Sequence, residues 1–191
     1  ALLMDHNRPK VFIYSADVKD VAAKAVQMAK FPPVRAVMAD NLRGVELPEG
    51  HITYEDYVAH RPDHDPTMDF EPHIYDEVLR LCTSGTTALP KSAALNDINE
   101  VLSAHDVIMH YPLNCNDVCM NMTPWFHRGG CHCGGPGPSF YVGASVVVCR
   151  GFAPRLCLQW VEEYGITFLM GAPSSLEMLA RTQEKHPVDL S

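Results

Sequence analysis

No stretch of the chain approaches the roughly 18 consecutive apolar residues that a membrane-spanning helix needs. Its start, ALLMDHNRPK, puts Asp5 and His6 a few residues into a very short apolar run, so neither an export signal nor an anchor is expected. Positive charge is scarce too: 15 Lys and Arg stand against 23 Asp and Glu, a formal net charge of -8 at pH 7. That balance excludes a sequence-independent nucleic-acid surface, which depends on many cations neutralising phosphates. A small anionic ligand, by contrast, needs only one local cationic spot. An even cysteine count is missing as well. Seven cysteines in a chain of this length make no secreted disulfide framework and point to the cytosol. Cys82 and Cys149 lie in apolar runs, where a free thiol behaves as a small core residue. Internal repeats, low-complexity tracts and the G-x-S-x-G elbow of a serine nucleophile are also absent.

What is present is 191 residues at 47% hydrophobic composition, enough for one domain or two small lobes with a buried core. KVFIYS, from Lys10, reads as a buried strand. DVKDVAAKAVQMAK reads as a helix capped by Asp17 with Val18, Val21, Ala22, Ala25 and Met28 on one face, and PPVRAVMAD supplies a second strand. Strand, helix, strand predicts a parallel α/β unit. HITYEDYVAH predicts a short helix, and residues 61–72, rich in Pro and Asp, a loop or hinge. The expected division is therefore an N-terminal α/β unit over 1–72 and a second α/β segment over 73–191.

In that second segment EVLRLC and SAAL read as the two strands of a long hairpin. Asn96 caps a helix with Ile98, Val101, Leu102, Ile108 and Met109 at helical spacing. DVCMNMT alternates as a strand, WFHRGGCHCGG reads as a glycine-rich turn, and ASVVVC as a β-branched strand. Pro154 opens a helix, GITFLMG is a strand, and Ser174 with Glu177 forms a capping box for the last helix. The fold class expected is α/β, with layered, mostly parallel sheets and flanking helices.

Between the hairpin strands lies TSGTTALPK, Thr83 to Lys91. It combines three threonines, a serine, a glycine that frees the main chain, and one lysine. Backbone N–H groups converging in such a turn, with hydroxyl donors and a mobile point charge, suit a polyphosphate. The pattern is not a Walker loop, because Pro90 precedes the lysine and a strand-like run follows it.

TSGTTALPK closely resembles the signature T-S-G-T-T-G-x-P-K of the adenylate-forming enzymes, a superfamily of acyl- and aryl-CoA synthetases, peptide-synthetase adenylation domains and luciferases. The resemblance continues in MTPWFHRGG, similar to the family's P-x-F-H-x-x-G segment, and in GASVVVCRGFAPRLCLQWVEEYGITFLMGAPS, similar to its strand, helix, strand and G-x-P-[TS] run. PKVFIYSADVKDVAAKA also resembles the segment upstream of the loop in acyl-CoA synthetases. The resemblance implies that Thr83, Ser84, Gly85, Thr86, Thr87 and Lys91 hold the β- and γ-phosphates of ATP. It places His127, with Gly129 and Gly130, near the carboxylate, and Gly171, Ala172 and Pro173 along the acyl channel. Lys91 and His127 are the candidate catalytic residues. ATP, Mg²⁺ and coenzyme A are the implied cofactor and co-substrates, a small carboxylic acid is the substrate, and no protein metal site is expected. Two departures stand out: Ala88 replaces the usual glycine and Ser92 the glycine that commonly follows the lysine.

The family's later motifs, for adenine, ribose, magnesium and the C-terminal catalytic lysine, have no counterpart here. The chain therefore reads as part of the large N-terminal domain, inactive alone, whose partners are the rest of that domain and the C-terminal domain. Three alternatives remain. The acyl acceptor could be a carrier protein rather than CoA. His127, Cys131, His132 and Cys133, with Cys115 and Cys119, could instead hold zinc. The chain could also be a non-catalytic interaction module.

Overall fold

Two parallel strands at the N-terminus follow from the two β-rich runs that flank a helical one. The structure, a computed structural model, describes residues 1–191 except 42, 43, 60 and 84–90. The chain divides into two compact units, residues 1–70 and, leaving 84–90 aside, residues 71–191.

In the first unit, helix α1 (Leu2–Asn7) precedes β1 (Val11–Ser15), a 3-10 turn (Ala16–Val18), α2 (Lys19–Met28), β2 (Arg35–Ala39), β3 (Ile52–Thr53) and α3 (Tyr54–Val58). The strands form a parallel sheet in the order β1-β2-β3. Tyr14, Ala22, Ala36 and Met38 build its core, with Phe12, Val26 and Leu47 packed against them. Removing a side chain the size of Met38 from water is worth about 1.5–3 kcal/mol. The expected apolar stripe of α2 is corrected in two ways. Asp17 lies inside the 3-10 turn and the N-cap is Val18, which makes no side-chain cap bond. Ala22 and Val26 face the sheet while Val21 and Met28 stay exposed, because the turn shifts the helix start and so rotates its inward face.

Tyr14 and His51 share a buried hydrogen bond of 2.6 Å. Burial pushes the Tyr14 phenol up and the His51 imidazole down from their ordinary values. An unfolded chain thus takes up a proton at His51 before the folded one does. The stability this group contributes is full above the unfolded pKa near 6.5 and is lost as pH falls from there toward the lower folded value. Thermal melts between about pH 7.5 and 5 check this, and His51→Gln should flatten that acid-side slope. An unchanged slope would remove His51 as its source.

The second unit opens with β4 (Glu77–Thr83) and β5 (Lys91–Asn96), antiparallel, with Thr83 opposite Lys91. This is the expected hairpin. Asn96 then caps α4 (Asp97–His110), its side chain accepting from the Asn99 N–H at 3.0 Å. Here too the phase is corrected: Ala104 is the buried residue of the helix, whereas Val101, Leu102 and Met109 are exposed. The chain continues through β6 (Val118–Asn121), α5 (Arg128–His132), α6 (Pro136–Val142), β7 (Ser145–Val147), α7 (Pro154–Tyr164), β8 (Phe168–Met170) and α8 (Pro173–Lys185).

Strands β7, β6 and β8 form a parallel sheet in that order. As its middle strand, β6 is buried on both faces rather than alternating. The Thr167 hydroxyl latches its start, donating to Asp117 Oδ1 at 2.7 Å and accepting from the Val118 N–H at 3.0 Å. Met120, Met122, Cys157, Leu158 and Leu179 make the core between this sheet and α7 and α8. Pro154 opens α7 as expected, and Gly165 closes it in the left-handed conformation at φ 59°. The capping box of Ser174 and Glu177 does not form. Pro173 occupies the first turn and moves the N-cap back to Ala172, so Glu177 instead pairs with Arg181 at 2.6 Å.

Candidate active site

Asn121 is the one amide in the buried strand β6, and an amide in such a strand must find partners. At 1% exposure it does: Nδ2 donates to the carbonyls of Gly129 at 2.9 Å and Cys133 at 2.6 Å, and Oδ1 accepts from the Thr123 N–H at 2.8 Å. A single side chain thus folds the segment after β6 back on itself. The glycine-rich turn expected there is in part a helix, α5, because these bonds and close backbone packing at Gly130 and Gly135 hold it.

Two side-chain ties fasten α5 to α4. His132, 2% exposed, brings Nε2 to the Glu100 carboxylate at 2.7 Å and Nδ1 to the Arg128 carbonyl at 3.3 Å. Arg128 Nη2 donates to Ser103 Oγ at 3.1 Å. With His132 turned to Glu100, the zinc alternative loses a ligand. Among the described residues no three His, Cys, Asp or Glu side chains converge as a metal set.

His127 is the N-cap of α5. Its Nδ1 accepts from the Gly129 N–H at 3.1 Å, so a neutral His127 carries its proton on Nε2. The ring is exposed and lines a cleft of about 440 Å³ together with Leu81, Cys82, Thr83, Ala93, Phe126 and Arg128. Phe126 is 77% exposed there. The cleft therefore has one wall from the hairpin that ends at Thr83 and one from the cap of α5. Thr83 Oγ1 donates to the Lys91 carbonyl at 3.3 Å, closing the last rung of the hairpin.

The cleft brings together two of the sequence-selected residues, Thr83 and His127. Lys91 is exposed at the start of β5. Ser84, Gly85, Thr86 and Thr87, with Ala88, lie outside the described residues. Gly129 and Gly130 stand behind His127 as backbone of α5: Gly129 supplies the N–H to its ring and Gly130 is buried. Gly171, Ala172 and Pro173 form the β8 to α8 junction and are not among the cleft's walls. Gly171 packs against the Met122 side chain.

Asn121 and Glu100 escaped the sequence reading, and His132 entered it only as a candidate zinc ligand. An amide in an otherwise apolar strand was a readable signal, whereas Glu100 meets His132 across 32 residues. Asn121→Ala takes away the partner of the Gly129 and Cys133 carbonyls and of the Thr123 N–H and should cost about 1–3 kcal/mol. Denaturant titration measures it, and a loss below a few tenths of a kcal/mol would show that water replaces the amide.

The whole chain, residues 1–191, matches the family described as "AMP-binding enzyme". "Probable acyl-activating enzyme 6" of Arabidopsis thaliana is 29% identical over 99% of this chain and 35% of its own length. An indoleacetate–CoA ligase of Aromatoleum aromaticum is 30% identical over 75% of this chain and 28% of its own. Among solved structures, the anthranilate CoA ligase AuaEII in complex with anthranoyl-AMP superposes with a TM-score of 0.86 at 19% identity, over 99% of this chain and 36% of that one. The chain thus spans about a third of the length of the relatives it matches. The fold, the phosphate-loop signature and the match along the entire sequence converge: the chain belongs to the AMP-binding enzyme family.

Proposed function

We propose that this chain is the phosphate-loop part of an ATP-dependent carboxylate–CoA ligase that works through an acyl-adenylate. The observation that supports this most is the cleft shared by Thr83, where the signature loop begins, and His127. A carboxylate oxygen attacks the α-phosphorus of ATP, the bond to the bridging oxygen breaks, and pyrophosphate leaves with its electron pair. Thr83, Ser84, Gly85, Thr86, Thr87 and Lys91 stabilise the charge that gathers on the leaving group. His127 directs its Nε2–H toward the carboxylate and orients it. The CoA thiol then attacks the acyl carbonyl and AMP departs.

Gly129 and Gly130 contribute by shaping the His127 cap, and Gly171, Ala172 and Pro173 border the acyl group. Magnesium, arriving with ATP, would share that charge on the leaving group, and among the described residues no cluster of three His, Cys, Asp or Glu ligands holds it by itself. Among the described residues no helix is long and apolar enough to cross a membrane. The seven cysteines are thiols rather than disulfides, which suits a reducing compartment, and we place the enzyme in the cytosol. Imaging of the tagged enzyme tests this, a peroxisomal pattern being the outcome that would move it.

The test of activity uses the enzyme that carries this chain, ATP, and a panel of aliphatic and aryl carboxylic acids. Carboxylate-dependent pyrophosphate exchange followed by CoA thioester formation is expected. Exchange without thioester would point to a carrier protein as acceptor, and no exchange with any acid would overturn the reading. The 191-residue polypeptide alone should exchange pyrophosphate only at background.

A further inference from the structure

Cys149, just beyond β7, and Cys157, in the first turns of α7, approach each other in the core beneath the sheet, with Sγ to Sγ 3.9 Å. Cys157 is fully buried, and Cys149 is half-buried with its thiol donating to the Gly151 carbonyl at 3.3 Å. Neither side chain belongs to the cleft or to the ties of α5. One thiol therefore has a path toward solvent and the other waits behind it, which is the arrangement of an attacking and a resolving cysteine. We propose that Cys149 and Cys157 form an oxidisable dithiol, converted by low-molecular-weight disulfides into an intramolecular disulfide that staples the exit of β7 to α7.

The chemistry is two thiol–disulfide exchanges. The Cys149 thiolate attacks one sulfur of the external disulfide, forming a mixed disulfide and expelling one thiolate of the reagent. The Cys157 thiolate then attacks Cys149 Sγ, forming the internal bond and expelling the second. Two protein thiols are oxidised, one external disulfide is reduced to two thiols, and the two protons lost by the protein end on those thiols. Burial and the neighbouring Cys157 push the Cys149 thiol up to about 11. Exchange at this thiol therefore quickens as pH rises toward that value. The inference does not depend on the ligase activity.

The experiment incubates the folded enzyme that carries this chain with 2-hydroxyethyl disulfide at about pH 8.5, where exchange is faster. Acid quenching, alkylation in denaturant and tryptic digestion without reductant follow. Arg150 and Arg155 separate the two cysteines, so the bond appears as a linked pair of peptides, 129–150 and 156–181. Fragmentation distinguishes Cys149 from Cys131 and Cys133 in the first peptide. A Cys149 to Cys157 link that dithiothreitol reverses is expected, with the melting midpoint raised by about 5 °C in the oxidised form. Cys157→Ser should halt at the mixed disulfide on Cys149. Should that variant misfold, Cys149→Ser serves instead, and there Cys157 should remain a free thiol. Full alkylation of Cys157 after treatment, or a link from Cys149 to Cys131 or Cys133, would overturn the proposal.

Discussion

Lys91→Met, made in the enzyme that carries this chain, is expected to slow adenylation roughly 30- to 1,000-fold, equivalent to about 2–4 kcal/mol of transition-state stabilisation. Lys91 is exposed and enters the hairpin through its backbone opposite Thr83, so methionine keeps the strand register and most of the aliphatic stem. What disappears is the charge that, in the proposed reaction, counts most as pyrophosphate departs. CoA transfer from pre-formed acyl-adenylate should suffer less, because no pyrophosphate leaves in that step. Thr86→Val, which removes one hydroxyl donor, should cost about 1–3 kcal/mol in the same assay. Rates of pyrophosphate exchange at varied ATP decide the matter: if both variants keep the parent rate and ATP dependence, the loop is not a phosphate site.

Gly130→Ala should unseat the other wall of the cleft. A Cβ built at Gly130 would overlap the carbonyl group of Pro124 and the carbonyl oxygen of Thr123, which are backbone and cannot swing aside. The helix α5 must then move, and with it the His127 cap and the carbonyl of Gly129 held by Asn121. The expected loss is about 3 kcal/mol or more, the range of severe overpacking. Gly151→Ala is the control, since a Cβ there meets nothing within 4 Å. Thermal or denaturant melts of both variants check the contrast. A Gly130→Ala protein that melts with the parent would mean that the segment is softer than its packing implies.

Local chemistry was legible in the sequence wherever one residue dictates the outcome. Pro154 at a helix start, Asn96 as a cap and the hairpin around the signature loop all follow from side chains acting on their own backbone. Helix faces were legible only to within a rotation. Counting large apolar residues selects Leu102 and Met109, whereas the packing selects small Ala104 and polar Glu100, because α4 meets α5 and α6 closely and needs an acid for His132. The Ser174 box fails for a similar reason: two local signals compete and the ring of Pro173 decides first. As for the site, the loop residues were legible as a pattern of types. The meeting of Thr83 with His127, 44 residues apart in number, is a property of the assembled unit that only the family resemblance anticipated.

The place of β6 in its sheet has a bearing on how the protein is made. Its two neighbours, β7 and β8, both come later in the chain, and the Thr167 latch that closes its start is 49 residues downstream of Val118. At about 5–20 residues per second, a ribosome needs roughly 2–10 s to add that length. Until β7 emerges the most buried strand of the unit has no hydrogen-bonded flank, and until β8 follows it has only one, on a timescale far longer than the microseconds in which collapse occurs. The pace of translation between Asn121 and Met170 therefore sets how long Val118 to Asn121 stays open to the wrong partner.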